Sequence, residues 1–225
     1  MTLFFLHVPR TGGTALRKAF IDALGADKVL SLFTRDGPET SPAARKIMFD
    51  ERDGHDPQRY DKLSDYIVAQ GIGLFASHHS AARLNCFEPR RSFIILRHPV
   101  DRIVSEYRYV RQRRRTDISF DAFISDPRRQ NAHSKILAGV KLEDLGAIGL
   151  FDHYEDFVHR LNGTYNLSLQ VRHENENKLV SRRFLPFCSA RMTAKIRQAN
   201  ALDLALFEHA QALCGAGPTV QPAGR

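Results

Sequence analysis

The sequence predicts an α/β fold with a mostly parallel central sheet flanked by helices. Three observations carry that expectation. Short apolar runs alternate with segments of helical spacing, the pattern of repeated strand–helix units. The chain opens in the order strand, glycine loop, helix. The run Phe93-Ile94-Ile95-Leu96 is apolar at every position, as in a strand covered on both faces.

Thr2–Val8 is an apolar run ended by Pro9, which reads as a buried strand. Arg10–Thr14 is a short loop with two glycines. Ala15–Leu24 places Leu16, Phe20, Ile21 and Leu24 at helical spacing, and Gly25 suits the C-cap. Thr34–Pro57 mixes Gly, Pro, Asp and Arg with little periodicity and reads as a long loop or insertion. A helix is expected over Gln58–Gln70, then strands over Gly73–Ser77 and Ser92–Leu96. His98–Arg115 reads as a helix with Pro99 in its first turn and Ile103, Val104, Tyr107 and Val110 on its buried stripe. Phe120–Ile124 and Asn131–Ala138 are short helices, Ala147–Phe151 a strand and His153–Leu161 a helix. Ala190–Leu213 reads as one long amphipathic helix, with Met192, Ile196, Ala199, Leu202, Leu206, Ala210 and Leu213 on one side.

The 225 residues, 43% of them hydrophobic, suffice for one sizeable core, so one domain is expected over residues 1–214. The Gly- and Pro-rich residues 215–225 are expected to form a disordered tail. A formal net charge of +8 suits an anionic ligand, but a solvated basic surface accounts for it as well. Cys86, Cys188 and Cys214 are odd in number and show no metal-ligand spacing, so neither a disulfide framework nor a metal site is expected. No apolar run is long enough for a signal segment or a membrane span, and a reducing, cytoplasmic setting is expected. The sequons at Asn162 and Asn166 are read as accidental for that reason.

Ligands of such folds bind at the carboxyl ends of the strands, and the two sharpest motifs lie there. The first is His7-Val-Pro-Arg-Thr-Gly-Gly-Thr14. Glycines let the backbone approach an anion, and a helix N-terminus presents N–H groups and a positive dipole end. Arg10 adds a cation; Thr11 and Thr14 add hydroxyls. The glycines alone also fit an ordinary strand–helix turn, and the Walker pattern GxxxxGK[ST] is absent. The second motif is Arg97-His-Pro-Val-Asp-Arg-Ile-Val-Ser105-Glu-Tyr107. Arg97 ends a strand and can offer a planar fork to a phosphate, while Ser105 follows two helical turns on.

Together, HVPRTGGT and RHPVDRIVSEY resemble the PAPS-dependent sulfotransferases (PAPS is 3′-phosphoadenosine 5′-phosphosulfate). The match is closest to the heparan sulfate 2-O- and 6-O-sulfotransferase branch and its small bacterial relatives. Asn131–Gly139, Ile148–Asp156 and His173–Asn177 look like later segments of the same family. The resemblance implies a P-loop-like sulfotransferase fold, PAPS as donor, PAP as product and no metal. It implies that Arg10, Thr11, Gly12, Gly13 and Thr14 hold the 5′-phosphosulfate and that Arg97 and Ser105 hold the 3′-phosphate. The family usually carries lysine at the position of Arg10, where it assists the leaving group.

Phe75-Ala-Ser-His78-His79-Ser80 ends another expected strand. Relatives place a Gly-His pair there, the histidine acting as base, which selects His78 with His79 as the one-residue alternative. Histidine suits the task because its pKa lies near operating pH. Glu51 and Asp53 are the fallback. Arg111–Arg115 suits an anionic acceptor or a solvated helix end, and Arg182-Arg183 could close over the donor phosphates. Tyr107 and Tyr109 are read as packing residues. The resemblance implies a hydroxyl acceptor, and the sequence does not choose among a glycan, a glycolipid and a small molecule. The competing readings are an ATP-dependent P-loop kinase, which would need a metal, and a non-enzymatic binder of nucleic acid, which would show a steep salt dependence.

Overall fold

The computed structural model describes residues 1–49, 57–114, 117–172 and 189–215. Five parallel strands form one sheet: β1 (Leu3–Leu6), β2 (Val29–Leu32), β3 (Leu74–Ser77), β4 (Ser92–Leu96) and β5 (Ala147–Leu150), in the order β2-β3-β1-β4-β5. Nine helices are described among these residues: α1 (Gly13–Leu24), α2 (Pro42–Phe49), α3 (Arg59–Ala69), α4 (Pro99–Arg114), α5 (Phe120–Ser125), α6 (Ala132–Leu137), α7 (Tyr154–Tyr165), α8 (Ala190–Ala199) and α9 (Ala201–Gly215). The expected α/β architecture is therefore present.

Strand alternation divides the core between the two sheet faces. Leu3 and Phe5 of β1 join Phe93, Leu16, Phe20 and Phe157, packed beneath α1 and α7. Phe4 and Leu6 point the other way, toward Leu63, Ile67, Ile136 and Phe207 on α3, α6 and α9. A third cluster, built on Ile103, Phe123 and Ile196, packs α4 against α5 and α8. No helix among the described residues is long and apolar enough to cross a membrane.

Sequence and structure differ at three places. The strand Val29–Leu32 is not among those expected; it is only four residues long and carries a buried Ser31. The expected long loop Thr34–Pro57 contains α2, whose Ala44 and Met48 are buried against the sheet. The single helix expected over Ala190–Leu213 is two helices that meet at Asn200. Asn200 has φ −121° and ψ 35°, and it is buried because its side chain serves both neighbours. Its amide donates to the Ile196 carbonyl (2.9 Å), and its side-chain oxygen accepts from the Asn131 N–H (2.9 Å). The break rotates the apolar stripe, which leaves Leu202 64% exposed. Gly215 is the last residue of α9, and residues 216–225 of the expected tail lie outside the described residues.

β1 lies between β3 and β4, so the chain leaves β1 toward one edge of the sheet and leaves β4 toward the other. The crevice at that switch point is where such sheets bind ligands. At the far side of β4, Gly149 admits the Phe157 ring: a Cβ there would stand 2.5 Å from its Cγ. Gly149→Ala is expected to lower unfolding free energy by about 1–3 kcal/mol through overpacking. Urea denaturation checks this, and an unchanged midpoint would contradict the packing of α7 on β5.

Candidate functional site

The loop after β1 is shaped by two residues in the left-handed region, Arg10 (φ 71°) and Gly12 (φ 86°). Arginine is rarely found there, so the loop's bonds must hold it. The Thr11 hydroxyl is buried and donates to the Val8 carbonyl (2.9 Å), so it braces the loop from inside. The N–H groups of Ala15 and Leu16 close on the Gly12 carbonyl, at 3.1 and 3.3 Å. Those of Gly13 and Thr14, the first two of α1, take no partner among the described residues, as the first turn of a helix dictates. Gly13 must be glycine because a Cβ would overlap the His7 imidazole. Unpaired N–H groups at a helix N-terminus form a backbone cradle of the kind that can take an anion.

The second motif folds onto this cradle. Arg97, at the end of β4, donates from Nη1 to the Arg10 carbonyl across 87 residues of chain (3.1 Å). Arg10 donates from Nε to the Ser105 Oγ on α4 (3.2 Å). Each guanidinium lies over an aromatic ring: Arg97 4.3 Å from the Phe151 centroid, and Arg10 4.7 Å from that of Tyr109. Burial, with the nearby Arg10 charge, pushes the Arg97 pKa below its usual value, against the opposing pull of Asp101 and Asp152. Tyr107 packs on Phe120 and Phe123 as expected, whereas Tyr109 is 43% exposed and carries Arg10.

The third element is the end of β3. His78 lies between two rings, 4.3 Å from Phe33 and 4.7 Å from His7. Its Nε2 is shielded from solvent and takes no hydrogen-bond partner among the described residues. Burial first, then the neighbouring His79, hold its pKa down to about 3, so the ring is neutral. His79 differs: its Nε2 lies 3.0 Å from the Phe33 carbonyl and is tied to it. Glu51, Asp53, Arg115, His173–Asn177 and Arg182-Arg183 lie outside the described residues.

Two contributions were not read from the sequence. His7 is buried, stacked on Phe5 and set against Gly13 and His78, which makes it a second imidazole at the cradle. Arg102, inside the second motif, is almost wholly buried and does not face the crevice. It bonds Glu106 (2.7 Å) and the Arg129 carbonyl (2.7 Å), and so fixes α4. Among the described residues no group of three or more His, Cys, Asp or Glu side chains is placed to hold a metal ion.

Comparison with known proteins follows the same lines. The model of the Sulfotransferase family matches residues 2–189. No curated protein matches the sequence. Among solved structures, the chain is similar to the crystal structure of a sulfotransferase from Alicyclobacillus acidocaldarius, with a TM-score of 0.51 and 17% identity over 93% of this chain and 96% of that one. At that identity the likeness speaks for the fold, which is P-loop-like.

Three imidazoles, those of buried His7 and His133 and half-buried His78, make stability depend on pH. His7, His78 and His133 all have folded pKa values below the ordinary 6.5, with burial the largest cause in each. The unfolded chain therefore binds more protons than the folded one just below pH 6.5. Their contribution is complete above 6.5 and is lost progressively as pH falls toward the folded values. Urea unfolding between about pH 8 and pH 4 is expected to show stability falling below the histidine range, with a shallower fall in His78→Asn. A flat profile would contradict the neutral state of these rings.

Proposed function

The chain belongs to the Sulfotransferase family, and from that membership we propose that it transfers a sulfuryl group from PAPS to an acceptor hydroxyl and releases PAP. The convergence of Arg10, Arg97 and Ser105 beside the backbone cradle is the observation that supports this most directly. In this reading the three side chains serve two neighbouring anion sites, as a nucleotide with a 5′-phosphosulfate and a separate 3′-phosphate needs. The acceptor class, a carbohydrate or glycolipid hydroxyl, and the heparan sulfate-like branch are part of the proposal and rest on the motifs alone. Neither comparison points to a kinase or a nucleic-acid binder.

In this reading the N–H groups of Gly13 and Thr14 and the Thr14 hydroxyl hold the 5′-phosphosulfate against the N-terminus of α1. Thr11 and Gly12 shape the loop that brings those groups to the anion. Arg97 and Ser105 take the 3′-phosphate. A phosphate at Ser105 competes for the hydroxyl that Arg10 now contacts, and frees the guanidinium to turn to the bridging oxygen. His78 Nε2 accepts the proton of the acceptor hydroxyl. The acceptor oxygen forms a bond to sulfur as the bond from sulfur to the bridging oxygen breaks. The electron pair of that bond stays on the 5′-phosphate of PAP, where Arg10 and the loop N–H groups stabilise the growing charge. The negative donor also favours the imidazolium, so its binding raises the His78 pKa from its low resting value toward the working range.

Calorimetry with PAP and AMP tests the 3′-phosphate site. PAP should bind much more tightly, and Arg97→Ala should remove most of the difference, about 2–4 kcal/mol for a desolvated charge pair. Equal affinities of the unaltered protein for the two nucleotides would contradict the assignment.

Turnover with labelled PAPS tests the base and the leaving-group cation. His78→Ala should reduce turnover about 100- to 10,000-fold while PAP affinity holds, and His79→Ala should have little effect. If His7→Ala or His79→Ala is the inactive variant instead, the base is misassigned. Arg10→Ala should lower turnover more than PAP affinity, and Arg10→Lys should retain activity, because the charge that Arg10 meets grows in the transition state.

A further inference from the structure

We infer that His133 and Asp203 are a positioning pair that holds the main chain of Arg97 and thereby sets the 3′-phosphate site. The inference rests on the reading of Arg97 as a phosphate ligand. It adds a helix, α9, that lies beyond the residues matched by the family model.

The chain of bonds is continuous and buried. Leu96 is the last residue of β4 paired with β5, so the N–H of Arg97 leaves the sheet ladder. It donates to His133 Nε2 on α6 (3.3 Å). That nitrogen must then be unprotonated, which puts the ring proton on Nδ1. Nδ1 in turn donates to Asp203 Oδ2 (2.9 Å). Asp203 is fully buried and accepts three further bonds: from the N–H of His133 (3.0 Å), and from the N–H (2.9 Å) and hydroxyl (2.8 Å) of Ser134. Burial opposes its ionisation, but the bonds from His133 and Ser134 hold its carboxyl below the usual carboxylate range. Asn131 and Asn200 brace the same junction, so α6 and α9 meet as one unit.

Stability alone is a poor account of this cluster. A buried carboxylate paired with an imidazole commonly stabilises no more than apolar side chains of equal volume would. What the cluster does that apolar residues cannot is offer a fixed acceptor to one backbone N–H, that of Arg97. Movement of that N–H carries the guanidinium with it. The same guanidinium grips the Arg10 carbonyl and lies over Phe151, so its error would reach the cradle as well.

Two substitutions separate positioning from packing. In His133→Asn the amide takes the place of Nδ1–H, keeps the bond to Asp203 and removes the acceptor for Arg97. In His133→Gln the side-chain oxygen reaches the place of Nε2 and restores that acceptor. The ratio of PAP to AMP affinity should fall about five- to tenfold in His133→Asn and stay within about twofold in His133→Gln, the effect of one hydrogen bond. A ratio lowered equally in both, or in neither, would overturn the inference. Arg97→Ala, measured beside them, separates the layers: if it leaves the ratio intact, the 3′-phosphate reading itself fails. If it collapses the ratio and His133→Asn does not, only the positioning role fails. Histidine nitrogen shifts of the labelled, unaltered protein give a readout that needs no variant. A His133 ring protonated at Nδ1 supports the arrangement; one protonated at Nε2 could not accept from Arg97 and overturns it.

Discussion

The bond from the Arg97 guanidinium to the Arg10 carbonyl joins two motifs that are remote in sequence, and the rest of the site depends on it. It draws the end of β4 against the loop after β1, across the switch point of the sheet. It also satisfies the carbonyl of a residue held at φ 71°, where arginine is strained. The Arg10 side chain is carried toward Ser105 on α4. A single donor–acceptor pair thus sets the distance between the two motifs.

The charge pattern follows from the same geometry. Two guanidinium groups, Arg10 and Arg97, and a helix N-terminus share one crevice, where their charges oppose each other and Asp101 and Asp152 offset part of the repulsion at Arg97. Aromatic faces under each guanidinium, Tyr109 and Phe151, offset part of that repulsion in the free protein. The imidazoles at the other side of the cradle, His7 and His78, are kept neutral by burial and add no charge. A polyanionic ligand relieves the strain that an uncharged one would leave in place.

Much of this was legible in the sequence because it rests on short-range pattern. Apolar runs marked β1, β3, β4 and β5. The glycine loop and the Arg97–Ser105 spacing marked the two motifs. What escaped is what depends on distant partners. Val29–Leu32 is a strand because it has a neighbour in β3, not because four residues with a serine announce one. α2 is only eight residues long and starts at Pro42 inside a stretch rich in Gly, Pro and Asp, so its apolar face reads as part of a loop. The kink at Asn200 and the roles of His133 and Asp203 arise from bonds between residues about 70 positions apart. The inward turn of the Thr11 hydroxyl is a matter of rotamer and loop shape, which spacing does not encode.

The most direct test of the account is a crystal structure with PAP bound. It should show the 3′-phosphate between Arg97 and Ser105, and the 5′-phosphate at the N–H groups of Gly13 and Thr14, with the Arg10 guanidinium turned toward it. A nucleotide bound in the opposite sense, with its 5′-phosphate at Arg97, or one bound away from the switch-point crevice, would contradict the account.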